Sequence, residues 1–240
     1  MYTISQGGLE DQYHITVLLG GMGEEREVSL CSGKAVIRAL ENLGHHVHGV
    51  DPQEPGWQLG SETEVVFLAL HGEYGEDGRV QERLEQEGVP YTGTGIQGSR
   101  IAFNKELTKQ AFEKYDIPTP RWLMLNDISE PAPTELAAPW VLKPARQGSS
   151  VGLQLVDEAG QWDAAFAAVC EHDDRILCEE RIIGREITVG ILADEALPIV
   201  EVSPKVGFYD YQNKYTVGAT EYFCPADLPD ERAKAIGQLA

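Results

Sequence analysis

Apolar residues along this chain fall into short blocks, and the spacing inside each block says what it forms. Residues 14–19 (HITVLL) are β-branched and apolar and stop at Gly20-Gly21, as a strand entering its first βα turn should. Residues 30–43 then place Leu30, Gly33, Val36, Ile37, Leu40 and Leu43 at helical intervals, with Ser29 as the expected N-cap and Gly44 as the stop. Residues 47–50 form a second short strand. Residues 65–70 (VVFLAL) are apolar without alternation, the pattern of a strand buried on both faces of a parallel sheet. Two such units predict a Rossmann-like open sheet, whose ligands bind beyond the carboxyl ends of the strands. A helix over 79–87 follows, with Asp77 at its start and Gly88 at its end.

Residues 91–98 (YTGTGIQG) read as a linker with turns. Asn104 is placed to cap a helix over 105–115, with Leu107, Ala111, Phe112 and Tyr115 inward and Lys105 in its first turn. Pro118 and Pro120 end it before a strand at 121–125, and 126–139 is a polar loop. Residues 140–142 end a buried strand that pairs as a hairpin with 153–156. A helix over 160–171 puts Trp162, Phe166 and Val169 on one face, and strands follow at 175–178, 187–192 and 197–202. Pro229, Asp230 and Glu231 open a last helix, whose apolar stripe of Ala233, Ile236 and Leu239 has barely begun at Ala240. This pattern predicts a chain cut inside a domain.

Chemistry concentrates in the polar stretches that follow strands. In WVLKPARQGSSVG, Lys143 sits at a strand's mouth and Pro144 halts the ladder. Gln147, Gly148, Ser149, Ser150, Val151 and Gly152 then make a flexible loop rich in N–H and hydroxyl donors, suited to an anion such as phosphate. It is not a Walker loop, because the lysine precedes the glycines. By these residues alone, a surface lysine followed by a hairpin fits as well. The loop GGMGEEREVS is charged and reads equally as a solvated turn. In HGEYGEDG, His71 follows a buried strand directly, and three glycines imply close backbone approach. FYDYQNKY carries four aromatics beside Lys214, the composition of a lid packing over something.

Charge and cysteines narrow the classes. A net charge of −20 over 240 residues leaves no basic surface for non-specific nucleic-acid binding. The apolar runs are too short to span a bilayer, and residues 1–13 lack the basic and apolar regions of a signal peptide. The four cysteines, Cys31, Cys170, Cys178 and Cys224, show no zinc spacing, and a reduced, cytoplasmic protein is expected.

The motifs GGMGEEREVSL, ALHGEYGEDG, YTGTG, LKPARQGSSVG, GREITVGIL and FYDYQNKY…TEYFCPA occur in this order and at suitable spacings. Each alone is weak. Together, from about residue 14 to 240, they closely resemble the D-alanine–D-alanine ligase family of the ATP-grasp superfamily. The resemblance implies an α/β chain with a Rossmann-like N-terminal substrate domain at 12–95. An ATP-grasp fold (α+β) follows, its small central domain at 96–178 and its large domain at 179–240, incomplete. It also implies ATP-dependent formation of D-alanyl-D-alanine through an acyl phosphate, for peptidoglycan precursors. The alternatives are a ligase with another acceptor, such as D-serine or D-lactate, and a non-catalytic nucleotide-binding relative.

Site residues follow from the resemblance, position by position. Lys105, Lys143 and Lys214 match lysines that contact the ATP phosphates, and the loop with Gly148, Ser149, Ser150 and Val151 covers the transferred phosphoryl. Glu179, Glu180 and Ile182 match the strand that meets adenine, and Glu186 the carboxylate on the ribose hydroxyls. Glu25 matches the carboxylate for the first D-alanine's ammonium, with Ser149 and Tyr215 as its hydrogen-bonded partners. His71 matches the histidine near that substrate's carboxylate. The family's Mg2+ (or Mn2+) ligands lie C-terminal to residue 240, so no metal ligand is expected here and the chain alone is expected to be inactive. The partners implied are ATP and D-alanine, with a homodimer when complete, and neither nucleic acid nor membrane.

Overall fold

A computed structural model describes residues 11–126 and 130–240, and the loop expected at 126–139 lies partly outside them. The chain divides into two compact units, residues up to 108 and residues from 109 onward. Among the described residues, no helix is long and apolar enough to cross a membrane.

The first unit is built on three parallel strands, β1 (His14–Leu18), β2 (His46–Val50) and β3 (Val65–Leu68), in the order β2-β1-β3. Alternate residues of β1 serve opposite faces. Ile15 and Val17 pack with Leu30, Val36, Ile37 and Leu40 of α1 (Arg26–Asn42), while Leu18 packs with Val66 and with Val80 and Leu84 of α2 (Arg79–Glu87). Both faces are therefore covered, which is why these strands read as unbroken apolar runs. α3 (Ile96–Phe103) begins inside the stretch expected to be a linker and takes up its residues 96–98. Gly98 lies within it and Gly93 and Gly95 just before it, and glycine counts against a helix by propensity.

Two other expectations needed correcting. Ser29 is not an N-cap: α1 begins at Arg26, and Ser29 is fully buried within it. Its hydroxyl accepts from the Gly20 N–H at 2.8 Å and donates to the Ala69 carbonyl at 2.7 Å. The inward face of α4 (Lys105–Lys114) also differs. Leu107 and Tyr115 are exposed, and the buried residue is Lys109. Asn104 does cap this helix, accepting from the Glu106 N–H at 3.0 Å.

The second unit has a four-stranded antiparallel sheet of β4 (Trp122–Leu125), β5 (Trp140–Pro144), β6 (Gln154–Val156) and β7 (Ile176–Glu180), ordered β4-β7-β5-β6. One face carries α5 (Trp162–Cys170). Trp162 stacks on Phe166 at 5.3 Å, and both join Trp140, Leu142, Val156, Val169 and Ile176 in the core. Beyond it lie β8 (Glu186–Thr188), a hairpin of β9 (Ile191–Leu192) and β10 (Glu195–Ala196), β11 (Val200–Pro204), α6 (Tyr211–Tyr215), β12 (Thr220–Phe223) and α7 (Asp230–Leu239). β12, β11 and β8 form a second antiparallel sheet. The single strand expected at 187–192 is thus split at Val189-Gly190 into β8 and β9.

Candidate active site

The alternation of β5 sets the site. Trp140, Leu142 and Pro144 turn into the core, so Val141 and Lys143 face the other way. There a cleft of about 560 Å³ opens between the two sheets of the second unit. Val141, Lys143, Leu155 and Glu179 line one side, and Glu186 and Glu201 come from the second sheet. Glu180 and Ile182 also border it, so Lys143, Glu179, Glu180, Ile182 and Glu186 share one cavity.

Lys143 does not stand alone there. The buried Glu179 carboxylate bridges two ammonium groups, pairing through Oε2 with Lys143 and through Oε1 with Lys109. Burial pushes the Glu179 carboxyl upward, but the Lys143 charge and hydrogen bonds from Lys109 and Lys143 outweigh it and hold the group below its ordinary range. Lys109 also donates to Thr119 Oγ1 and, at 3.2 Å, to the Pro120 carbonyl. The motif reading missed Lys109. The available signal was its place three residues before Phe112 on the same helix, which puts a lysine on the inward side.

The loop after β5 is held in an uncommon conformation. Ser149, Ser150 and Gly152 have φ of 48°, 61° and 69°. Gly152 is required: a Cβ there would lie 2.5 Å from the His172 ring and 2.9 Å from Pro144. The Val151 N–H donates to the Gly148 carbonyl at 3.0 Å. The tip is tied to the aromatic segment: Ser149 Oγ and Tyr215 Oη are 3.1 Å apart, and Ser150 Oγ donates to the Tyr209 carbonyl at 3.1 Å. Asp210 caps α6, accepting from the Asn213 N–H at 2.8 Å, and the Lys214 ammonium lies 5.3 Å from the centre of the Tyr209 ring. Burial and the nearby Tyr222 hydroxyl, 2.9 Å away, push Tyr209 up to about 12.

Glu25, His71 and Lys105 belong to the first unit. Arg26 pairs with Asp51 at 2.7 Å and donates to the Gly21 carbonyl at 2.9 Å, and the Gly21 N–H donates to Asp51 at 3.0 Å. These bonds fix the turn that leads to the buried Glu25. His71 lies 3.9 Å from Glu76 and 3.3 Å from the Ser32 hydroxyl. The Glu76 carboxylate beside it raises its pKa against the opposing effect of burial, and the charge of Glu25 adds to the rise. The Glu25 carboxylate and the His71 imidazole are thus close enough for the charge of one to act on the other. Lys105 opens α4 beside the Asn104 cap. Among the described residues, no three His, Cys, Asp or Glu side chains come together to hold a metal ion.

Two antiparallel sheets enclosing a lysine-bearing cleft, with a serine–glycine loop after the lysine strand, define the class as ATP-grasp. The chain belongs to the D-alanine–D-alanine ligase family. The family model described as D-ala D-ala ligase C-terminus matches residues 111–240, and that described as D-ala D-ala ligase N-terminus matches residues 50–94. The chain is 43% identical to the D-alanine–D-alanine ligase of Methylacidiphilum infernorum, over 95% of its own length and 74% of that protein. It is 44% identical to that of Syntrophotalea carbinolica, over 95% of itself and 76% of the relative. The crystal structure of the Bacillus anthracis D-alanine–D-alanine ligase complexed with ATP matches with a TM-score of 0.81 at 30% identity, over 96% of this chain and 76% of that one.

Proposed function

We propose that this chain serves the ATP-dependent joining of two D-alanines into D-alanyl-D-alanine, a peptidoglycan precursor. The first carboxylate is phosphorylated, and the second amine attacks the acyl phosphate. The observation that carries the reading is the Lys143–Glu179 pair at the inner end of a nucleotide-sized cleft, with the loop 148–152 tied down beside it. Phosphoryl transfer needs positioning and charge neutralisation more than a nucleophilic side chain. Lys143, with Lys105 and Lys214, meets the phosphates. The N–H groups of the loop with Gly148, Ser149, Ser150 and Val151 cover the transferred phosphoryl. Glu179, Glu180 and Ile182 border adenine, and Glu186 takes the ribose hydroxyls. Glu25 receives the first D-alanine's ammonium, His71 stands by its carboxylate, and Ser149 with Tyr215 shuts water out from the acyl phosphate. The division of the chain near residues 95 and 178, a cytoplasmic setting, a homodimer and a divalent metal accompanying ATP belong to the same proposal.

The test separates the two ligands by titration. ATP binds the wild type, and Glu25→Gln keeps ATP affinity while weakening D-alanine. A Glu25→Gln variant that loses ATP more than D-alanine overturns the assignment of the two sites.

A further inference from the structure

Resting on the nucleotide reading above, we propose that Lys109 is a positioning residue for Lys143: it holds the Glu179 carboxylate so that Lys143 is free to leave it for a phosphate. Lys143 reaches the cleft with its side chain 29% exposed, whereas those of Lys109 and Glu179 are each 6% exposed. Lys109 therefore does not meet a nucleotide itself. Its three N–H donors are matched by Glu179 Oε1, Thr119 Oγ1 and the Pro120 carbonyl, the full capacity of an ammonium.

The charge count explains the arrangement. Two ammoniums and one carboxylate leave one net positive charge at the inner end of the cleft. When a phosphate draws Lys143 away, Glu179 keeps one buried partner and the remaining pair is neutral. Without Lys109 the same movement strands a buried anion. Breaking a buried pair by removing one partner is far costlier than the pair itself is stabilising. Glu179 then either retains Lys143, which weakens nucleotide binding, or takes a proton from solvent as Lys143 departs. The charged groups facing Glu179 are Lys143 from β5 and Lys109 from α4. Its neighbour on β7, Cys178, is a neutral thiol pushed up to about 12 chiefly by burial, and Trp122 on β4 lies opposite Glu179 itself. Arg181, Arg185, Glu180, Glu186 and Glu201 border the cleft further out.

The experiment is calorimetric titration with ADP, in two buffers of different ionisation enthalpy, from about pH 8 to about pH 6. At the upper pH, Lys109→Met binds ADP about 10- to 100-fold more weakly than wild type. The gap narrows as the pH falls, and the variant takes up close to one proton more than wild type on binding. Lys109→Arg, which keeps the charge, follows wild type in its pH profile. A Lys109→Met variant with wild-type affinity and proton uptake overturns the inference. A second arm guards against a variant that does not fold. With the carboxylate gone, Lys109 has nothing to hold, so Lys109→Met/Glu179→Gln binds ADP as Glu179→Gln does, and a tenfold gap between them overturns the inference. Wild type that binds no ADP overturns the nucleotide reading, and this inference with it.

Discussion

A methyl group added at Gly72 would lie 2.9 Å from Glu25 Oε2, so the carboxylate rests directly against the backbone of the His71 loop. Gly72 has a φ of +66°, where a side chain is disfavoured even without the clash. Gly72→Ala should cost roughly 1–2 kcal/mol in backbone conformation alone and push Glu25 aside. D-alanine affinity is expected to fall about tenfold or more while ATP affinity stays at the wild-type level. Parallel titrations of the two ligands check this.

His71 gives a pH signature. Its pKa is raised above the ordinary 6.5, with the neighbouring Glu76 carboxylate the largest cause. A raised folded-state pKa adds stability that is fully present below the ordinary value and lost as the pH climbs through the raised one. The stability difference between wild type and His71→Gln should therefore be largest in mild acid and shrink above neutrality. Denaturant curves of both proteins from about pH 5.5 to about pH 8.5 measure it. If His71 stands by the substrate carboxylate as proposed, D-alanine affinity should weaken over the same range in wild type alone, because a protonated imidazole favours that carboxylate.

Lys143→Ala removes the charge-assisted phosphate contact proposed above, worth about 1.5–3 kcal/mol, so ATP should bind about 10- to 100-fold more weakly. The variant should still fold, because Glu179 keeps Lys109 as a partner. Unchanged ATP affinity would remove Lys143 from the phosphate site.

Phe166 is 2% exposed and stacks on Trp162. Phe166→Ala should destabilise the second unit by about 3–5 kcal/mol. Denaturation followed by tryptophan fluorescence should show the loss, because Trp140 and Trp162 both report on this core.

Tyr215→Phe keeps the ring and deletes the hydroxyl that meets Ser149, at a cost of about 0.5–1.5 kcal/mol. The loop at 148–152 should open more often. Hydrogen exchange at the Val151 and Leu153 amides, which close its internal bonds, should quicken while the β5 amides stay protected.

Much of this architecture was legible from local pattern. The unbroken apolar strands announced a sheet covered on both faces, and Trp162, Phe166 and Val169 at helical spacing marked the face of α5 that is buried. The strand–lysine–loop order at residues 140–152 was equally plain, and the structure puts five of the nucleotide candidates on one cleft. What escaped had its cause far away in the chain. Nothing near Lys109 says that a carboxylate on β7 awaits it, and helical periodicity gave the inward face to Leu107 and Tyr115 instead. Ser29 before an apolar run has the look of a cap, and only contacts with Gly20 and Ala69 reveal a buried hydroxyl. α3 was hidden by Gly98 within it and by Gly93 and Gly95 just before it, because glycine counts against a helix by propensity.

Ser29 has a further consequence. A hydroxyl that accepts from one backbone group and donates to another has no torsion left to choose, so its O–H points permanently from α1 toward the Ala69 carbonyl. With no solvent reaching it, its proton should leave for water slowly enough to be seen as a separate resonance in an NMR spectrum. That single line would report, without any ligand, whether the turn after β1 and the end of β3 remain joined at the base of the loops that carry Glu25 and His71.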